Sequence, residues 1–203
     1  AVLFTPAARR DTLVGTARAF VAVFGLWGAT NWTPTLIREL LESRELTAAA
    51  TARLVSYATM SLNAGAILGY LAFAPLAERL GRRGAFLVML AGSAAALPAT
   101  FLFPNTYATA LLLLPVLGFF SNGIFSGFPI YLPELYPTRI RATGAGFCFN
   151  AGRVLAAAGP FITGTLVARL GSFALAASSM GVIYLFGIVV LSQARETRNE
   201  TLR

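Results

Sequence analysis

Histidine and lysine are both missing from this chain of 203 residues, and cysteine occurs once, at Cys148. Without histidine, and with one thiol, no Cys/His zinc site can be assembled and no internal disulfide can close, so no metal is expected. Charge is scarce as well. Asp, Glu, Lys and Arg together make up 12% of the residues, about half the 25% usual in a soluble domain. All eight acids, Asp11, Glu39, Glu42, Glu45, Glu78, Glu134, Glu196 and Glu200, lie outside the long apolar runs. Cys148 reads as a small buried apolar residue. Nothing here supplies a base–nucleophile pair, so neither an enzyme nor a bound cofactor is expected.

What the chain has instead is apolar residues, 57% of the total. They form six stretches, over about 13–36, 54–77, 84–103, 107–132, 142–168 and 172–193. A bilayer core about 30 Å thick needs about 20 apolar residues to cross as a helix, and a helix satisfies its own backbone within hydrocarbon. The expected fold is all-α: a polytopic membrane protein with six transmembrane helices. The first stretch is as long as the others and lacks a short apolar core leading to a small-residue cleavage site, so it does not read as a signal peptide.

Six crossings would place both termini on one side. That side would hold eleven arginines: Arg9, Arg10, Arg18, Arg79, Arg82, Arg83, Arg139, Arg141, Arg195, Arg198 and Arg203. The other side would hold Arg38, Arg44, Arg53 and Arg169. Short cytoplasmic loops are enriched in basic residues, which makes both termini cytoplasmic. The net charge of +8 then belongs to the membrane boundary and calls for no nucleic-acid partner. Using arginine alone as the basic residue fits a GC-rich genome, hence a bacterial inner membrane. Asn199-Glu200-Thr201 matches a glycosylation sequon, but on this side it would never meet the machinery.

Pro75, Pro98, Pro115, Pro129 and Pro160 sit within or near these stretches, where each removes a backbone hydrogen bond and can kink a helix. Gly65/Gly69 and Gly123/Gly127 have the four-residue spacing that lets helices approach closely. Tyr57 and Tyr107, near the ends of stretches, read as interfacial belt residues.

Three motifs punctuate the arginine-rich side. One turn reads Ala74-Pro-Leu-Ala-Glu78-Arg79-Leu-Gly81-Arg82-Arg83, a carboxylate expected to cap a helix end beside three guanidiniums. The next reads Pro133-Glu134-Leu-Tyr136-Pro137-Thr138-Arg139-Ile-Arg141-Ala-Thr-Gly144, and the tail carries Glu196-Thr197-Arg198. Together and in this order they resemble the major facilitator superfamily. The first resembles its G-x-L-x-D-R-x-G-R-R loop, with Ala74 for the glycine and Glu78 for the aspartate. The second is similar to the E-x-x-P-T-x-x-R-x-x-G motif of the sugar-porter and metabolite:proton symporter branches. The tail is similar to their P-E-T-[KR]-G ending, with Arg195 and Asn199 at the flanks.

The resemblance implies the second six-helix half of a twelve-helix transporter, a 3+3 inverted repeat with the N-terminal half absent. Residues 1–12 would belong to a central cytoplasmic loop, 13–193 to the membrane domain and 194–203 to a tail. Glu78, Arg79, Gly81, Arg82, Arg83, Glu134 and Arg141 would form a cytoplasmic charge network that stabilises the outward-facing state.

Arg153 lies twelve residues beyond Arg141, about 18 Å along a helix and so near mid-membrane. A guanidinium there costs at least about 2.5–3.5 kcal/mol and is tolerated facing a cavity or a partner. Asn150 shares its face. The segment Gly146–Arg153 resembles the corresponding helix of carboxylate-transporting symporters. Either Arg153 binds an anionic substrate or it pairs with a carboxylate of the other half. Asn31, Trp32, Asn63 and Asn122 are further candidates for lining a substrate cavity, or for interhelical glue. The expected partners are a small-molecule substrate, membrane lipid and the other half. The expected activity is proton-coupled transport of a small organic anion. A neutral sugar carrier, a drug exporter and a transporter-like sensor are the alternatives. Cysteines placed within 78–83, 133–141 or 195–203 in a Cys148→Ala background should resist an impermeant thiol reagent in intact cells. Labelling from outside at any of them reverses the assigned orientation.

Overall fold

The computed structural model describes residues 2–198, and all regular structure among them is helical. The Asn199 sequon, Glu200 and Arg203 lie outside the described residues. A 3-10 turn at Val2–Phe4 precedes α1 (Pro6–Thr30) and α2 (Thr33–Leu41), followed by α3 (Ala48–Leu102), α4 (Tyr107–Ser126) and α5 (Phe128–Glu134). A second 3-10 turn, Thr138–Ile140, leads into α6 (Arg141–Ala156), α7 (Gly159–Leu170), α8 (Phe173–Ser179) and α9 (Val182–Ser192). Among the described residues, four helical segments are long and apolar enough to cross a membrane: Ala48–Leu102, Tyr107–Glu134, Thr138–Leu170 and Phe173–Ser192.

The first of these is 55 residues long, about 82 Å, enough for two crossings. It is interrupted at Gly81, whose φ of 80° and ψ of 170° only glycine adopts readily. Its start is capped by Thr47, whose hydroxyl accepts from the Ala50 N–H at 3.2 Å, and α4 begins with a Thr106/Thr109 capping box.

The stretches read as single spans are mostly broken helices. Breaks fall at Asn31–Trp32 before Pro34, at Gly127 before Pro129, and at Ala157–Ala158 before Pro160. These follow from proline, which lacks an N–H and pushes the preceding backbone out of the helix. Pro75, Pro98 and Pro115, by contrast, lie inside continuous helix. At Pro115 the reason is visible. The Leu111 carbonyl, which has lost its donor four residues on, accepts instead from the Ser61 hydroxyl at 3.0 Å. The break at Met180–Gly181 involves no proline of its own segment.

The tightest seam joins α3 to α4. A methyl group on Gly65 would collide with the Pro115 carbonyl, one on Gly69 with the Phe119 carbonyl, and one on Gly118 with the Leu62 carbonyl. Gly127, the other half of the second glycine pair, is wedged against the Phe73 and Phe86 rings. Three side-chain bonds lace the seam. Besides Ser61, Tyr107 donates to the Leu54 carbonyl at 2.8 Å and Ser126 to that of Tyr70 at 3.1 Å. Tyr107 is therefore a helix tie as well as a residue at a span's end. A second close approach joins α1 to α6, where Gly152 abuts Ala19 and the backbone of Phe20.

Large apolar side chains such as Leu112, Val154, Phe161 and Val189 stand exposed on the outside. Gly118→Ala should destabilise the folded protein by about 1–3 kcal/mol, since its methyl meets backbone that cannot rotate away. Gly164→Ala, with open space around it, should cost nothing measurable. Melting temperatures in detergent compare the two, and equal stability would mean that the seam is looser than described.

Candidate functional site

At the arginine-rich end, the chain reversal at Gly81, the end of α5 and the tail converge. Gly81 frees the next two backbone N–H groups, and the Glu196 carboxylate takes both, from Arg82 at 2.8 Å and Arg83 at 3.0 Å. It also accepts from the Arg198 N–H at 3.2 Å. Burial works to raise its carboxyl, but these N–H groups and that of Thr197 outweigh burial and hold it below the usual glutamate value. The cap expected from Glu78 is thus supplied by Glu196. Glu78 is exposed and acts on Arg82 only through space. The reason is geometric: the Gly81 turn aims its free N–H groups at the tail, where a Cβ on Gly81 would strike the Glu196 carboxylate.

Arg82 turns its side chain the other way, onto Glu134. Nη2 donates at 2.8 Å and Nε at 3.2 and 3.3 Å, a forked pair with both side chains mostly buried. Glu134 in turn raises the Arg82 guanidinium above its ordinary value. The buried hydroxyl of Thr197 donates to Oε2 of the same carboxylate, which also receives Arg82 Nε. Arg198 reaches the Arg79 carbonyl at 3.1 Å, and Arg195 pairs with Asp11 of α1 at 2.9 Å. Of the charge network expected from sequence, the structure thus joins Gly81, Arg82 and Glu134 directly. Arg79 and Arg83 enter through their backbones. Arg141 packs nearby, its Nε donating to the Tyr136 carbonyl at 3.3 Å.

Beside this latch lies a buried polar knot that the sequence did not reveal. The Tyr136 hydroxyl is 2.9 Å from the Thr12 hydroxyl and 3.1 Å from Cys148 Sγ, tying the second turn to α1 and α6. Burial, then the thiol, push the Tyr136 phenol well above its ordinary range. No sequence spacing announces it, because its members lie up to 136 residues apart.

The substrate candidates are less gathered. Arg153 is exposed on α6, its guanidinium 5.8 Å from the Phe149 ring centre. Asn150 is exposed too, and its amide donates to the Gly146 carbonyl of its own helix at 2.8 Å. Asn63 does the same on α3, donating to Thr59 at 2.9 Å. Asn31 stands exposed at the break between α1 and α2, while Trp32 packs on Phe173 with ring centres 5.2 Å apart. Asn122 is buried on α4 with its Nδ2 unpartnered. The structure brings Asn150 and Arg153 onto one helix, and leaves Asn31 and Trp32 at the α1–α2 break, Asn63 on α3 and Asn122 on α4.

The family model described as "Sugar (and other) transporter" matches residues 49–203. The putative niacin/nicotinamide transporter NiaP of Bacillus subtilis is 30% identical over 200 residues, covering 95% of this chain and 46% of its own length. The cis,cis-muconate transport protein of Acinetobacter baylyi is 32% identical over 163 residues, covering 79% of this chain and 37% of its own. Among solved structures, the inward-open xylose transporter XylE from E. coli superposes with a TM-score of 0.74 at 17% identity, covering 92% of this chain and 48% of that one. The chain spans about half the length of the relatives it matches. With the latch geometry and the apolar helices, these likenesses show that the chain belongs to the sugar-transporter family of the major facilitator superfamily.

Proposed function

We propose that this chain is the second six-helix half of a proton-coupled carrier for a small organic anion, arranged as a 3+3 inverted repeat. It would rock against another six-helix half, with both termini in the cytoplasm of a bacterial cell. Its share of about half the relatives' length supports the pairing of halves. Arg153 carries the anion reading. It is a guanidinium near mid-membrane whose own chain places no acid within its apolar stretches, left exposed on α6 where a cavity wall would need it. One relative is named for cis,cis-muconate, a dicarboxylate, which supports the same substrate class; another is named for niacin/nicotinamide, an acid and its neutral amide. Because this half holds no acid in its apolar stretches, a proton carrier would sit in the other half. Asn150 would flank the bound anion, and Asn31, Trp32, Asn63 and Asn122 would line the rest of the wall. The charge network around Arg82 would lock the cytoplasmic mouth.

Two outcomes follow for the intact carrier. Arg153→Lys keeps the charge but loses the fork, so uptake should continue with a raised KM, and Arg153→Ala should abolish uptake with expression and folding retained. If Arg153→Ala instead fails to fold, and neutralising a carboxylate of the other half restores it, the arginine is a structural pair and the anion reading is lost. Glu196→Gln should weaken the cap at Gly81 and widen the cytoplasmic mouth, seen as a longer spin-label distance across it. Since the Glu196 carboxyl is held low in the folded state, its contribution is present above the ordinary glutamate range and is lost as pH falls through that lowered value. An unchanged distance in Glu196→Gln at pH 7 would remove Glu196 from the lock.

A further inference from the structure

Arg18 occupies an unusual position for a guanidinium. It sits on α1, is 4% exposed, and lies between two aromatic faces, 3.7 Å from the Phe86 ring centre and 3.9 Å from that of Tyr131. Stacking satisfies the faces of the guanidinium plane and leaves the in-plane N–H groups unanswered. Both terminal nitrogens, Nη1 and Nη2, are buried without a hydrogen-bond partner. The hydroxyl of Tyr131, itself 1% exposed, is likewise unpartnered. Arg18 and the Arg195 backbone lie close enough to the Tyr131 hydroxyl to act on it, but not in the geometry of an ordinary hydrogen bond.

The nearby carboxylates are already engaged. Glu196 attracts Arg18 through space but is bound to the backbone at Gly81, and Asp11 is held by Arg195. Arg83 adds repulsion. A buried charge left this way costs several kcal/mol, and a water molecule would satisfy a donor without neutralising the charge.

A small void opens against Arg18, walled by Val21, Phe86, Leu90, Ile124, Phe128 and Gly187. It leaves about 10 Å³ for the centre of a solvent-sized occupant, room for about one. Organic carboxylates and phosphate are too large. We propose that Arg18 binds one compact monovalent anion of the halide class in this void, inside the bundle, beneath the latch and separate from Arg153. The anion would accept from in-plane donors, and its charge would cancel that of Arg18 without a carboxylate from the chain.

The intact protein is melted in nanodiscs while chloride replaces gluconate at constant ionic strength. Wild type should gain about 1–3 °C for each tenfold rise in chloride above its Kd. Bromide should substitute for chloride. Arg18→Gln should lose the dependence. Should Arg18→Gln fail to fold, the wild-type chloride and bromide titrations decide. Absence of chloride dependence in wild type, or equal dependence in Arg18→Gln, would mean that water alone fills the void, and would overturn the proposal.

Discussion

One carboxylate holds the arginine-rich end together. Glu134, at the last turn of α5, receives the forked guanidinium of Arg82 and the hydroxyl of Thr197 at once. Three segments far apart in sequence thereby meet on two oxygen atoms. The pair is mostly buried, so its Coulomb attraction is screened less than that of a surface bridge, and its geometry is bidentate. Glu196 completes the arrangement by capping the reversal that Gly81 creates. Remove Glu134, and Arg82 loses its bonded counter-charge while Thr197 of the tail loses its acceptor.

Around this point the bundle divides into rigid and jointed parts. The α3–α4 seam is rigid, because glycine lets backbone touch backbone and three side-chain bonds cross it. The joints are the breaks between α1 and α2, α4 and α5, α6 and α7, and α8 and α9. Each frees backbone groups and each lies where a small angular change moves a whole half-helix. Arg153 lies one turn before the joint of α6 and α7, on the jointed part. A carrier that rocks needs both kinds of construction, a wall that keeps its shape and hinges at which helix ends can shift.

Much of this was legible in the chain, for physical reasons. Hydrocarbon leaves helix as the main choice for long apolar runs, and the family resemblance of the turn motifs put Arg82 and Glu134 in one charge network without naming them as a pair. Three features were hidden. Glu78 was the nearer carboxylate to Gly81 in sequence, but the direction of the freed N–H groups, which sequence does not encode locally, favoured Glu196. Arg18 looked like one more flanking arginine, because counting charges at the edge of an apolar run says nothing of which way a side chain points; it is enclosed instead. The Thr12–Tyr136–Cys148 knot needs the tertiary packing of α1 on α6 to exist at all. The prolines misled in both directions, since Pro115 is repaired by Ser61 and the break at Gly181 has no proline of its own.

The central claim is that Arg82 and Glu134 act as one unit, and a double-mutant cycle measures that directly. Arg82→Gln, Glu134→Gln and the double substitution are compared with wild type by reversible unfolding of the intact protein in mild detergent. The account predicts a coupling energy of about 1.5–3 kcal/mol, with the second substitution costing much less once the first is made. Additive effects, with a coupling energy near zero, would contradict it.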